Sequence, residues 1–273
     1  MFMKFALCNE VLQHLSIEDS FSKIAEIGYD GVEIAPFTLK ENPLDVNEED
    51  AERCIKAAES AGIEIIGLHW LMAKTEGLHL THQDEGMRNA ACEFLKKLTK
   101  LTAQMGGKIM VLGSPQQRNL EPGTPYEVAF ERAVSVIREV CELAGEHGVT
   151  LAMEPLSPVE TSFLSSCREA RRFITAVNRP ACRLHLDIKA MAHETAGPVA
   201  TIFEHRWEVA HFHGNDVNLR GPGQGPTDIK PIADALKAID YHGWVSVEPF
   251  DYHPTSEDCA RISLENLNKV FAN

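Results

Sequence analysis

An alternation repeated eight times constrains this chain more than anything else in it. Short apolar runs of β type lie at 5–8, 32–35, 63–68, 109–112, 150–153, 184–186, 209–212 and 245–247. Amphipathic stretches with helical spacing lie between and after them, at 20–27, 48–61, 85–105, 126–147, 167–177, 199–206, 229–239 and 256–271. The first four of these end at Gly28, Gly62, Gly106 and Gly148. A glycine stops a helix there because it takes positive φ without strain. The β runs are nearly continuous, with no clean polar alternation, as parallel strands covered by helices require. Eight strands and eight helices in 273 residues predict an α/β fold, a (β/α)8 TIM barrel, as a single domain over 1–273. An open doubly wound sheet is the runner-up. It would place a glycine fingerprint after the first strand, where this chain reads CNEVLQHL.

The charge balance narrows the partners. Twenty-six Lys and Arg against 40 Asp and Glu leave a net charge of −14, which repels phosphate backbones and argues against a nucleic-acid surface. No apolar run approaches the roughly 20 residues of a membrane helix, and the opening MFMKFALCNE does not read as a signal peptide. Seven scattered cysteines without a CxxC pair read as reduced core residues of a cytoplasmic protein. Assembly into a homo-oligomer is left open.

In a parallel barrel the reactive groups sit at the C-terminal ends of strands. Four successive strands here end in a residue that can bind metal: Glu154, Asp187, His213 and Glu248, spaced by 33, 26 and 35 residues. Each gap is the length of one βα unit, so the four converge on one rim. Taken singly, any of these carboxylates is as well explained as a helix cap or a surface charge; four in succession are not. Three carboxylates and an imidazole in one pocket would neutralise each other by shifted pKa values unless a cation joined them. An oxygen-rich set with one nitrogen suits Mn²⁺ foremost, with Mg²⁺, Co²⁺ or Zn²⁺ as alternatives. Such an ion acts as a Lewis acid on a carbonyl and a vicinal hydroxyl and stabilises an enediolate. Glu154 and Glu248 are the natural pair to remove and return the proton. The expected chemistry is proton abstraction next to a carbonyl, as in sugar epimerases and isomerases.

The segments Met153-Glu-Pro-Leu-Ser-Pro-Val-Glu160, Leu184-His-Leu-Asp187, His211-Phe-His-Gly-Asn-Asp216 and Val247-Glu-Pro-Phe250 carry a resemblance. The chain resembles the sugar phosphate isomerase/epimerase family of xylose-isomerase-like barrels, in particular the ketose 3-epimerases acting on D-tagatose and D-psicose. The resemblance implies Glu154, Asp187, His213 and Glu248 as ligands of a divalent metal, and Glu154 and Glu248 as proton-transfer residues. It implies Glu160 and Arg220 as substrate contacts, Arg220 displaced by about one residue. One departure stands out. The family's substrate-binding histidine, three residues after the aspartate ligand, is replaced here by Ala190, with Lys189 beside it. The sugar's end is therefore read differently.

Other candidates follow from position. His69, after the third strand, can touch a substrate or pack. Arg118, in the loop after the fourth, can grip a hydroxyl or phosphate or be a solvated loop arginine. Lys189 can bind an anionic group or face solvent. His185 and His211 read as supporting or structural residues, Trp70 and Phe37 as an apolar wall or simple packing, and Gly221–Pro226 as a shaped active-site loop. Three other functions compete: an inosose-type dehydratase on the same metal site, a metal-dependent endonuclease acting on abasic DNA, and a non-catalytic sugar-binding barrel.

Overall fold

A computed structural model describes residues 3–272, and in it eight strands close into a barrel in chain order. They are β1 Phe5–Cys8, β2 Gly31–Ile34, β3 Glu64–Leu68, β4 Ile109–Leu112, β5 Thr150–Met153, β6 Cys182–Asp187, β7 Val209–Gly214 and β8 Val245–Val247. The helices are α1 Ile17–Ile27, α2 Glu48–Ala61, α3 Glu85–Gln104, α4 Tyr126–Glu146, α5 Cys167–Val177, α6 Ile188–Met191, α7 Gly197–Glu204, α8 Ile229–Ala238 and α9 Ser256–Phe271. Closure excludes the open doubly wound sheet. Among the described residues no helix is long and apolar enough to cross a membrane.

Two strands exceed their apolar runs. β6 extends to Asp187, and β7 continues through His213 to Gly214. The ladder explains β7: Phe212, His213 and Gly214 pair with Val245, Ser246 and Val247. The polar residues stay in the strand because the backbone keeps its partners while their side chains are buried. The one-turn helix α6 was not expected either. Asp187 creates it by accepting the Ala190 N–H at 2.7 Å, the act of an N-cap.

Residue contacts group into two compact units. The first holds the chain up to Ile34, Arg53–Ile66 and the chain from His185 on. Its strands β8, β1 and β2 pair in parallel, Phe5 opposite Val245 and Ala6 opposite Gly31. α1 opens on Ser16, whose hydroxyl accepts the Asp19 N–H, and closes at Gly28 with φ 106°. Tyr29 Oη donates to the Ala260 carbonyl of α9 at 2.8 Å.

The second unit holds Ala35–Glu52 and Gly67–Leu184. β4 and β5 run side by side, Ile109 opposite Thr150 through Leu112 opposite Met153. Gly67 is required where β3 meets β4, because a Cβ there would collide with the Ile109 carbonyl. Phe130 and Phe163 each meet Phe173 edge-on, at 5.5 and 6.1 Å, in a buried aromatic cluster. Burying one such ring stabilises the fold by about 1.5–3 kcal/mol. All seven cysteines are buried thiols.

Candidate metal centre

Parallel pairing of β7 with β8 sets the first part of the site. Because Gly214 lies opposite Val247, the residue after β8, Glu248, reaches back with its N–H to the Gly214 carbonyl at 3.1 Å. That places Glu248 beside His213, and Nδ1 of His213 lies 3.1 Å from Oε2 of Glu248. His213 is fully buried and Glu248 nearly so. Asp187, at the end of β6, is also buried. Its two oxygens are both engaged: Oδ1 by the Ala190 N–H, Oδ2 by the Asn215 side-chain amide. Asn215 Oδ1 in turn accepts the Lys189 N–H at 2.9 Å. Backbone and amide thus fix the aspartate's orientation.

Glu33 also belongs to this cluster, and the sequence reading did not single it out. It is fully buried in β2, and its Oε2 lies 2.8 Å from His211 Nε2 and 3.2 Å from His213 Nε2. The His185 ring packs against His213 at 4.2 Å. A signal was present: an acid inside the apolar run Gly-Val-Glu-Ile is expensive to bury without partners.

In the second unit Glu154 follows β5, and its N–H extends the ladder to the Leu112 carbonyl at 3.2 Å. Gly113 leaves room for its carboxylate; a Cβ at 113 would run into Oε2. Arg118 is fully buried, not a solvated loop arginine, and its Nη1 donates to the Glu154 carbonyl at 2.8 Å. Burial lowers its pKa to about 10.

In the first unit Asp187, His213 and Glu248 each offer a ligand atom, and these atoms lie within 4.8 Å of one another. Three of the strand ends singled out by spacing therefore meet within that unit. Their electrostatics are those of a cation site. Burial, and after it the charge of Glu248, pushes Asp187 up to about 6, against the opposing pull of Lys189. Burial favours a neutral His213, but the charges of Glu248 and Glu33 outweigh it and hold the imidazole well above its ordinary range. Glu33 is held well below the carboxylate range, since His211 and His213 outweigh the effect of its burial. The two buried carboxylates and the imidazole of this group fit a divalent ion, which would neutralise the excess negative charge.

The remaining candidates are placed as follows. Glu160 turns back on its own loop and accepts from Ser157 Oγ at 2.6 Å. Arg220 donates to Gln224 Oε1 at 3.2 Å and to the His253 carbonyl at 2.6 Å. Gln224 lies in the glycine-rich loop after β7, and its amide is pinned to Cys259 and Ser263 of α9. The loop thus fixes Arg220. His69 is fully buried beyond β3. Lys189 Nζ sits 4.8 Å from the Phe250 ring centre. Phe37 and Trp70 meet edge-on at 6.3 Å, with Lys74 over the Phe37 ring at 3.9 Å.

The family model of the xylose isomerase-like TIM barrel matches residues 21–270. A ketose 3-epimerase of Arthrobacter globiformis is 24% identical over 248 residues, 90% of this chain and 82% of the relative. A fructoselysine 3-epimerase of Escherichia coli O157:H7 is 25% identical, covering 86% of each chain. Among solved structures, a D-psicose 3-epimerase crystallised in the presence of D-fructose superimposes with a TM-score of 0.85 at 20% identity, covering 99% of this chain and all of the other. At that identity the superposition speaks to the fold alone.

Proposed function

The chain belongs to the xylose isomerase-like TIM barrel family, and we propose that it is an isomerase, a divalent-metal-dependent epimerase of ketose sugars. One observation carries this proposal: the ligand atoms of Asp187, His213 and Glu248 lie within 4.8 Å of one another. The relatives named above as 3-epimerases support the same reaction class.

Glu154, Asp187, His213 and Glu248 would hold the ion, with Mn²⁺ the expected occupant. A divalent ion bound there supplies Lewis acidity to a sugar's carbonyl and neighbouring hydroxyl. The protein's own part is proton transfer and orientation. Glu154 follows β5 and Glu248 follows β8; one carboxylate would remove the proton beside the carbonyl and the other would deliver a proton to the opposite face. Asp187 is assigned no part in that transfer; the Ala190 N–H and the Asn215 amide hold it still, as a ligand position requires. Glu160, Arg220, His69, Arg118 and Lys189 are proposed to contact or shape the sugar's far end. Lys189 and Ala190 stand where the ketose 3-epimerases are expected to carry a histidine, so that end need not be tagatose or psicose.

The test is a panel of free and phosphorylated ketoses incubated with the Mn²⁺-loaded protein, with the products separated by chromatography. A product of unchanged mass, inverted at the carbon next to the carbonyl, is expected. An enone or dione absorbance would make the protein a dehydratase. Nicking of abasic DNA would make it an endonuclease.

A further inference from the structure

We infer that Glu33 is the positioning residue of this centre: it accepts the Nε2–H of His213 and thereby turns Nδ1 toward Glu248 and the metal position. The inference rests on the metal reading above and adds to it a residue outside the four ligands.

The geometry leaves the imidazole little choice. Both its nitrogens face a carboxylate, Nδ1 toward Glu248 Oε2 at 3.1 Å and Nε2 toward Glu33 Oε2 at 3.2 Å. A neutral imidazole has one donor and one acceptor nitrogen. Glu248 is itself one of the four proposed ligands, so Nδ1 is on the side where an ion would be shared. Nδ1 must then offer its lone pair, and the hydrogen belongs on Nε2, where Glu33 receives it. A histidine that binds a metal usually donates its other N–H to a carboxylate in this way, which fixes the tautomer and ring angle and raises ligand basicity.

Glu33 is well suited to that task. It is fully buried in β2, a rigid element, with no freedom to swing into solvent. The same oxygen also faces His211 Nε2 at 2.8 Å, and Ser246 Oγ lies 3.3 Å from that nitrogen. His211 and His213 are two residues apart on β7 and present one face, so a single carboxylate oxygen ties both rings together. The competing explanation is that Glu33 serves only to satisfy His211 in the core. The two ideas differ in what loss of His211 does.

The experiment compares wild type, Glu33→Ala, Glu33→Gln and His211→Ala as full-length proteins stripped of metal. Mn²⁺ affinity is read from the electron paramagnetic resonance signal of free Mn²⁺. The ligand field is read from the visible spectrum of the Co²⁺ form. Glu33→Ala should raise the Mn²⁺ Kd by about 10- to 100-fold and shift the Co²⁺ bands. Glu33→Gln, which keeps an acceptor but not the charge, should raise it by less. His211→Ala should fall well short of Glu33→Ala. If Glu33→Ala does not fold by circular dichroism, Glu33→Gln decides. Unchanged affinity and Co²⁺ spectrum in the folded Glu33 variants, or a His211→Ala effect as large as that of Glu33→Ala, would overturn the inference. A wild-type protein that binds no Mn²⁺ would instead overturn the four-ligand centre on which it rests.

Discussion

Nδ1 of His213 and Oε2 of Glu248 face each other at 3.1 Å, on strands paired so that His213 lies opposite Ser246. Without a metal a proton must fill that gap, which is why His213 is held well above the usual histidine range. A metal and this proton compete for one nitrogen. Binding of Mn²⁺ should therefore release protons, and affinity should rise with pH. Isothermal titration calorimetry in buffers of different ionisation enthalpy would count the protons. No proton release near neutral pH would contradict the pairing.

Asp187 gives a stability counterpart. Burial raises it to about 6, above its value of roughly 3.9 in an unfolded chain. The folded form thus binds the proton more tightly, so the stabilising contribution is complete at low pH and is lost as pH rises through about 6. The loss is on the order of 3 kcal/mol at most. A divalent ion bound beside Asp187 would offset it. The rise in Tm on adding Mn²⁺ should be larger at pH 7.5 than at pH 5, measured by scanning calorimetry; an equal or smaller rise would count against an ion at Asp187.

Lys189 lowers the Asp187 pKa through its charge. Lys189→Met should push that pKa further up. The acidic limb of Mn²⁺ binding should move to higher pH. A limb that stays in place, or moves down, would show that Lys189 does not act on this carboxylate.

Gly113 leaves the space in which the Glu154 carboxylate lies. Gly113→Ala should leave the barrel folded, because the far end of a side chain moves and not backbone. Activity should fall at least tenfold, since displacements of about 1 Å in a reacting group cost on the order of 10²-fold. Full activity in Gly113→Ala would remove Glu154 from the reacting set.

Much of this was legible in the chain. The eight strand positions follow from apolar runs, and the meeting of Asp187, His213 and Glu248 follows from one-unit spacing. What escaped was lateral. Glu33 and Asn215 act through neighbours on other strands, and nothing in local periodicity reports a partner 178 or 28 positions away. The extra turn α6 depends on a side-chain cap made by Asp187, a residue already read as a ligand. Burial of Arg118 likewise depends on its partner Glu154, which a loop sequence does not reveal.

Glu154 and Glu248 are assigned opposite faces of the substrate carbon. Glu154→Gln and Glu248→Gln should each lower kcat by roughly 10²- to 10⁴-fold at saturating Mn²⁺. Each variant should still exchange solvent hydrogen slowly into one epimer and not the other, as followed by proton NMR. Loss limited to a few-fold in either variant would take that residue out of proton transfer.

Solvent isotope incorporation reaches the chemistry most directly. Ketoses incubated in D₂O with the Mn²⁺-loaded protein should gain one deuterium at the carbon that is inverted, and the metal-stripped protein should give none. Inversion without deuterium under these conditions, or undiminished turnover after chelation, would contradict proton transfer at a metal centre formed by Glu154, Asp187, His213 and Glu248.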